Sequence, residues 1–123
     1  MAEKILFADD SPVIKKIVKK TVEGMNYELL SANDGKEALT LLAQEAASVK
    51  LILSDWNMPV MNGFELLTAV KGNPAFKHIP VIMITTEAEK ANINKAIQAG
   101  AANYILKPFN TDELVSKITK CLA

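Results

Sequence analysis

Five short apolar runs alternate with five segments of helical apolar spacing, and that alternation leaves the chain few architectures. The runs span residues 5–8, 28–31, 51–54, 81–84 and 103–106, the second being the weakest. The spacing predicts helices over 13–25, 35–47, 63–70, 88–99 and 111–122. Ile14, Ile17, Val18, Thr21, Val22 and Met25 form the first inward stripe. Ala38, Leu39, Leu42 and Ala46 form the second, and Phe64, Leu67 and Val70 the third. Leu114, Val115, Ile118, Cys121 and Leu122 form the last. The fourth stripe, Ile93, Ala96 and Ile97, is thin, and Asn92 and Asn94 weaken that helix. Ser11 before Pro12 reads as an N-cap with proline at the first helical position, and Gly100 reads as a stop. Strands that are continuously apolar and separated by helices predict a parallel sheet covered on both faces. The fold class expected is α/β: a doubly wound, five-stranded parallel sheet in the order 2-1-3-4-5 with five helices. Ligands of such sheets bind at the carboxyl ends of the strands, where the winding reverses.

Half of the 123 residues are hydrophobic, enough for one compact domain over 1–123. Fourteen basic and fourteen acidic side chains cancel, so nothing in the charge balance favours nucleic acid or an anionic membrane. Every basic residue is lysine, so a phosphate contact here would use a point charge rather than a planar fork. Cys121, the single cysteine, has no internal partner for a disulfide and reads as a small core hydrophobe in a reduced compartment. There is no signal-peptide pattern and no apolar stretch of the length that a membrane span needs. The expectation is a cytoplasmic monomer.

The chemistry gathers where the runs end. Asp9 and Asp10 follow the first run, Asp55 the third, Thr85 and Thr86 the fourth, and Lys107 and Pro108 the fifth. In the order 2-1-3-4-5 those four strands are consecutive neighbours, so the polar groups meet at one rim. Three crowded carboxylates repel, and a hard divalent cation relieves them; Mg²⁺ suits a site with a few carboxylates, retained waters and a shared phosphate oxygen. Lys107 adds a compact positive charge and Thr85 a hydroxyl donor. A cation, an ammonium and a hydroxyl around a carboxylate form a receptor for a phosphoryl group, with Asp55 as the nucleophile that carries it. Taken singly, each residue has a plainer role. An aspartate after a strand is a turn former or cap, Thr85 a helix cap, and Lys107 a solvated lysine. Lys15, Lys16, Lys19 and Lys20 form a solvated helix face or steer an acidic partner. The joint pattern points to a site.

The stretches FADDSP, LILSDWNMPVMNGFELL, VIMITTEA and NYILKPFN resemble the receiver domains of two-component response regulators. Among these they are most similar to the single-domain chemotaxis regulators of the CheY type. The family is itself a standing example of the 2-1-3-4-5, flavodoxin-like order, so that order follows from the resemblance as much as from the alternation. The resemblance implies that Asp55 is phosphorylated by a sensor histidine kinase. Mg²⁺ is then held by Asp9, Asp10, Asp55 and the backbone carbonyl of Asn57. Thr85 becomes the switch hydroxyl and Lys107 the phosphate-binding lysine, with a cis bond between Lys107 and Pro108. Tyr104 turns inward as Thr85 moves, and the face of the fourth helix, fifth strand and fifth helix changes shape to bind a partner. Asn57 and Glu87 flank the hydrolytic water and tune dephosphorylation. Thr86 stands where a small residue is common in the family, which bears on access to the phosphoryl site.

The output expected is a protein contact such as the flagellar motor switch, with a phosphatase as a further partner and no catalytic turnover beyond self-phosphorylation and self-dephosphorylation. Three alternatives stay open at this point: a stand-alone receiver in a non-chemotaxis phosphorelay, a Mg²⁺-dependent phosphohydrolase, and a flavin mononucleotide carrier on the same sheet order. Adjacent acids after the first run disfavour the hydrolase. The carrier would need a hydroxyl-rich phosphate loop where this chain has DDSP.

Overall fold

The structure is a computed structural model and describes residues 3–86 and 90–122. Strands and helices alternate throughout: β1 (Lys4–Ala8), α1 (Pro12–Gly24), β2 (Glu28–Ala32), α2 (Gly35–Glu45), β3 (Val49–Asp55), α3 (Gly63–Lys71), β4 (Val81–Thr86), α4 (Lys90–Gln98), β5 (Asn103–Lys107) and α5 (Thr111–Leu122). All strand pairs are parallel, and the sheet order is β2-β1-β3-β4-β5.

The pleat divides the core in two. Ile5, Phe7, Leu51, Leu53, Ile82, Ile84 and Ile105 point to the side covered by Val18 and Val22 of α1 and by Leu114 and Ile118 of α5. Leu6, Ala8, Ile52, Val81 and Met83 point to the other, packed on Ala38 and Leu42 of α2, Leu66, Leu67 and Val70 of α3, and Ala96 of α4. The central strands are buried on both faces, which is why they read as unbroken apolar runs.

Local signals set the helix starts. The Ser11 side chain accepts from the Ile14 N–H at 3.4 Å and Pro12 occupies the first turn. Asp34 caps α2, and Asn62 with Glu65 forms a reciprocal capping box on α3. Gly100 closes α4 at φ 109°, in the left-handed region.

Several boundaries differ from the sequence reading. β3 starts two residues earlier than the apolar run and includes Asp55; β4 includes Thr85 and Thr86, and β5 includes Lys107. Backbone pairing does not stop where the apolar residues stop: the Trp56 N–H still donates to the Ile84 carbonyl at 3.0 Å. α2 ends at Glu45 rather than at 47. The expected start of α4, at 88, lies outside the described residues. Ile17 does not face the core; it is 40% exposed and lies along the seam between α1 and α5, because the stripe of Val18, Thr21 and Val22 takes the sheet side. Cys121 is half-buried against the α1–α5 core, and burial pushes its thiol up.

Candidate functional site

Strand parity builds the site. Ile5 and Phe7 lead to Asp9, Leu51 and Leu53 lead to Asp55, and Ile105 leads to Lys107, so three polar side chains extend the same face of the sheet beyond its apolar part. Phe7 pairs with Leu53, which brings Asp9 level with Asp55 on adjacent strands. Lys107 pairs with Thr86, two residues past the Ile84 that lies beside Asp55, and its side chain reaches back across that gap. The Lys107 Nζ stands 3.1 Å from Asp55 Oδ1 and 3.6 Å from Asp9 Oδ2.

Asp9 and Asp10 look equivalent in the sequence and are not. Asp9 is fully buried, and its Oδ1 accepts the Ser11 N–H at 2.8 Å; Asp10 is exposed. Oxygens of Asp9, Asp10 and Asp55 lie within 4.8 Å of one another, a spacing that one cation could bridge. Asp55 is 7% exposed, and its Oδ1 also accepts the Trp56 N–H at 2.9 Å. Burial raises the Asp55 carboxyl above its usual value; Lys107 pulls it down and Asp9 pushes it up further. An ionised Asp55 is therefore an expensive group that only further positive charge would relieve.

Two buried side-chain oxygens among the described residues lack a hydrogen-bond partner, Asp9 Oδ2 and Thr85 Oγ1. Both belong to this rim. Thr85 is 2% exposed and follows the Ile84 that pairs with Asp55. Buried polar atoms are normally hydrogen-bonded, so two that lack such a bond beside clustered acids, one of them held only by a long ion pair to Lys107, leave capacity for a ligand. The donors fit a hard cation: carboxylate oxygens, one of them unsatisfied, with a solvent-facing side at Asp10.

The loop from Asp55 to α3 is fixed by contacts that the sequence does not announce. A Cβ on Gly63 would fall 2.1 Å from the Asp55 carbonyl oxygen, so the start of α3 can approach the end of β3 only with glycine there. The Gly63 N–H donates to the Trp56 carbonyl at 2.9 Å and the Gly35 N–H to that of Met61 at 3.0 Å. Val60 sits at φ 67° with the Met61 N–H on the Pro59 carbonyl at 2.7 Å, a tight turn that a β-branched residue rarely enters. The signal for Gly63 was a glycine opening a helix just after a capping residue; nothing signalled Val60. Asn57 is exposed on this loop. Tyr104 is half-buried in β5, with the Lys117 Nζ 5.0 Å from its ring centre. The Lys107–Pro108 peptide is cis. Glu87 lies outside the described residues.

A buried acid pair, a bridging lysine and an orphan hydroxyl on consecutive parallel strands define a class. The chain belongs to the response regulator receiver domain family, whose model matches residues 5–119. That family is one of signalling receivers rather than of ordinary enzymes. Its relatives include chemotaxis protein CheY1 of Helicobacter pylori, 44% identical over 116 residues that cover 94% of this chain and 93% of that one. The chemotaxis protein CheY homolog of Campylobacter jejuni is 40% identical over 120 residues, covering 97% and 92%. Among solved structures, the chemotaxis response regulator CheY4 of Vibrio cholerae superposes with a TM-score of 0.88 at 38% identity, covering 99% of this chain and all of that one. No helix among the described residues is long and apolar enough to cross a membrane.

Proposed function

We propose that the chain is a phosphorylation-activated switch that takes a phosphoryl group from a sensor histidine kinase onto Asp55. The observation that carries this is the pair of buried oxygens without a hydrogen bond, Asp9 Oδ2 and Thr85 Oγ1, on either side of an Asp55 that Lys107 bridges to Asp9. Mg²⁺ would be held by Asp9, Asp10, Asp55 and the Asn57 carbonyl, and when bound it supplies charge neutralisation for the transferring phosphoryl oxygens. The residues of the chain do the rest. Lys107 and the Trp56 N–H hold Oδ1 of Asp55, which leaves Oδ2 for the incoming phosphorus. The phosphorus–nitrogen bond of the phosphohistidine breaks, a phosphorus–oxygen bond to Asp55 forms, and the imidazole leaves with the electron pair.

The Lys107 ammonium then follows the new negative charge, and the Thr85 hydroxyl gains the acceptor it lacks. Movement of Thr85 makes room for Tyr104, and the face of α4, β5 and α5 changes. Asn57 and Glu87 set the lifetime of the adduct. The names of the relatives support chemotaxis as the pathway, with the flagellar motor switch as output target, a phosphatase as a further partner and the cytoplasm as the compartment. A cleft of about 420 Å³ lined by Ile14, Ile17, Thr86, Lys107, Pro108 and Phe109 opens beside the acceptor and offers the kinase a surface. Val13, 68% exposed, precedes Ile14 of that lining.

Acetyl phosphate with Mg²⁺ tests the reading. The expected product is a single acid-stable, base-labile phosphoryl adduct on Asp55, absent from Asp55→Asn. Full labelling of that variant would assign the nucleophile elsewhere. Steady hydrolysis of phosphate esters would make the protein a hydrolase.

A further inference from the structure

Helix α4 is thinly anchored. Ala96 is buried, Ile93 half-buried and Ile97 44% exposed, so little apolar surface holds this helix to the sheet. Each specific contact therefore weighs heavily in where it sits. One such contact comes from Lys95 in its last turn, whose Nζ stands 4.5 Å from the centre of the Phe64 ring. Phe64 is the second residue of α3, directly after Gly63, and its ring centre lies 5.5 Å from that of Trp56, tilted by 34°. The Trp56 N–H is shared between the Ile84 carbonyl at 3.0 Å and Asp55 Oδ1 at 2.9 Å. Direct contacts thus run from the acceptor carboxylate through Trp56 and Phe64 to Lys95.

Both ends of this run respond to charge. A group attached to Asp55 changes the charge and hydrogen bonding of the oxygens that hold the Trp56 N–H. At the other end the Lys95 ammonium is attracted to the negative face of the Phe64 ring, so its grip depends on how that ring lies against Trp56.

We propose that Lys95 is a positioning residue: its ammonium on Phe64 holds α4 against α3 in the unmodified protein, and filling the Asp55 site weakens that hold through Trp56 and Phe64. This is a second route to the output face beside Thr85 and Tyr104, and it rests on the reading of Asp55 as the phosphoryl acceptor. Linkage makes the effect reciprocal: removing the Lys95 contact makes the acceptor site easier to fill by the factor with which filling weakens the contact. An exposed cation–ring contact sets that factor at about two- to five-fold.

The test uses the full chain with Mg²⁺, beryllofluoride as phosphoryl mimic, Trp56 fluorescence as readout of filling, and amide exchange as readout of α4. Lys95→Met is expected to lower the half-saturating beryllofluoride concentration about two- to five-fold and to speed α4 exchange in the unmodified protein by a similar factor. Lys95→Arg keeps both wild-type values. Phe64→Leu reproduces Lys95→Met, and the double variant adds nothing further. An unshifted half-saturation in Lys95→Met, with or without faster exchange, overturns the proposal, as does a shift to weaker binding or an arginine variant that behaves like methionine. A wild-type protein whose Trp56 ignores beryllofluoride overturns the acceptor reading and the coupling with it. A responsive wild type with an unshifted Lys95→Met overturns the role of Lys95 alone.

Discussion

Replacing Asp55 by its neutral isostere, Asp55→Asn, is expected to make the metal-free protein more stable. At an effective dielectric constant of about 20, Lys107 at 3.1 Å attracts the Asp55 charge by about 5 kcal/mol. Asp9, with an oxygen within 4.8 Å, repels it by about 3 kcal/mol, and exposed Asp10 adds a screened fraction of that. Attraction and repulsion nearly cancel, which leaves the cost of burying an ion to decide the sign. Asparagine removes that cost and keeps an oxygen for the Trp56 N–H. The net gain is about 2 kcal/mol, or about 8 °C in Tm for a domain of this size.

The pH dependence follows from the raised Asp55 carboxyl. The folded protein holds the Asp55 proton more firmly than the unfolded chain does, so wild-type stability falls as pH rises from 3.8 through the higher folded value, then levels off. The advantage of the variant is accordingly full at neutral pH and fades in acid, where Asp55 is protonated and resembles asparagine. Thermal melts in EDTA across that range, repeated with excess Mg²⁺, measure it; the metal narrows the gap because the wild type alone retains the complete donor set. A variant no more stable than wild type at pH 7 in EDTA would show that Lys107 outweighs burial and repulsion together, and the account of a site strained by its own charge would fail.

Three other substitutions probe the same rim. Lys107→Ala leaves buried Asp9 and Asp55 without their cation and is expected to cost about 2–3 kcal/mol in urea unfolding; adding Asp55→Asn should restore part of the loss. Gly63→Ala drives a methyl group into the Asp55 carbonyl, with an expected cost of at least about 2 kcal/mol and slower labelling by acetyl phosphate, read by melting and by mass spectrometry. Val60→Gly relieves a left-handed β-branched residue that is 76% exposed and has little packing to lose, so melts should show a gain of about 0.5–1 kcal/mol.

Much of the rim was legible because period-2 alternation continues past the apolar residues. Once Ile5 and Phe7 are known to face one side, Asp9 must follow them, and the same step carries Leu53 to Asp55 and Ile105 to Lys107. The sheet order was legible from the alternation of elements together with the family motifs. What stayed hidden depends on approach between elements far apart in sequence. Ile17 fits the helical stripe as well as Val18 does, and only the placement of α5 decides which of them reaches the core. Lys95 on Phe64 joins residues of α3 and α4 whose spacing carries no local signal, and the backbone turn at Val60 contradicts its own residue type.

Among the described residues, the opposite end of the sheet holds no cluster of three acids like that of Asp9, Asp10 and Asp55. There the Lys71 Nζ donates to the carbonyls of Lys77 and Ile79 at 3.1 and 2.9 Å and pins the connection that enters β4, whereas the short link from α2 to β3 through Ala47 carries no reactive group. A peptide inserted at that link would hang from the floor of the molecule, at the end of the sheet away from Asp9, Asp55 and Lys107. The fold thus offers a position for immobilisation or labelling that stands apart from the acidic rim.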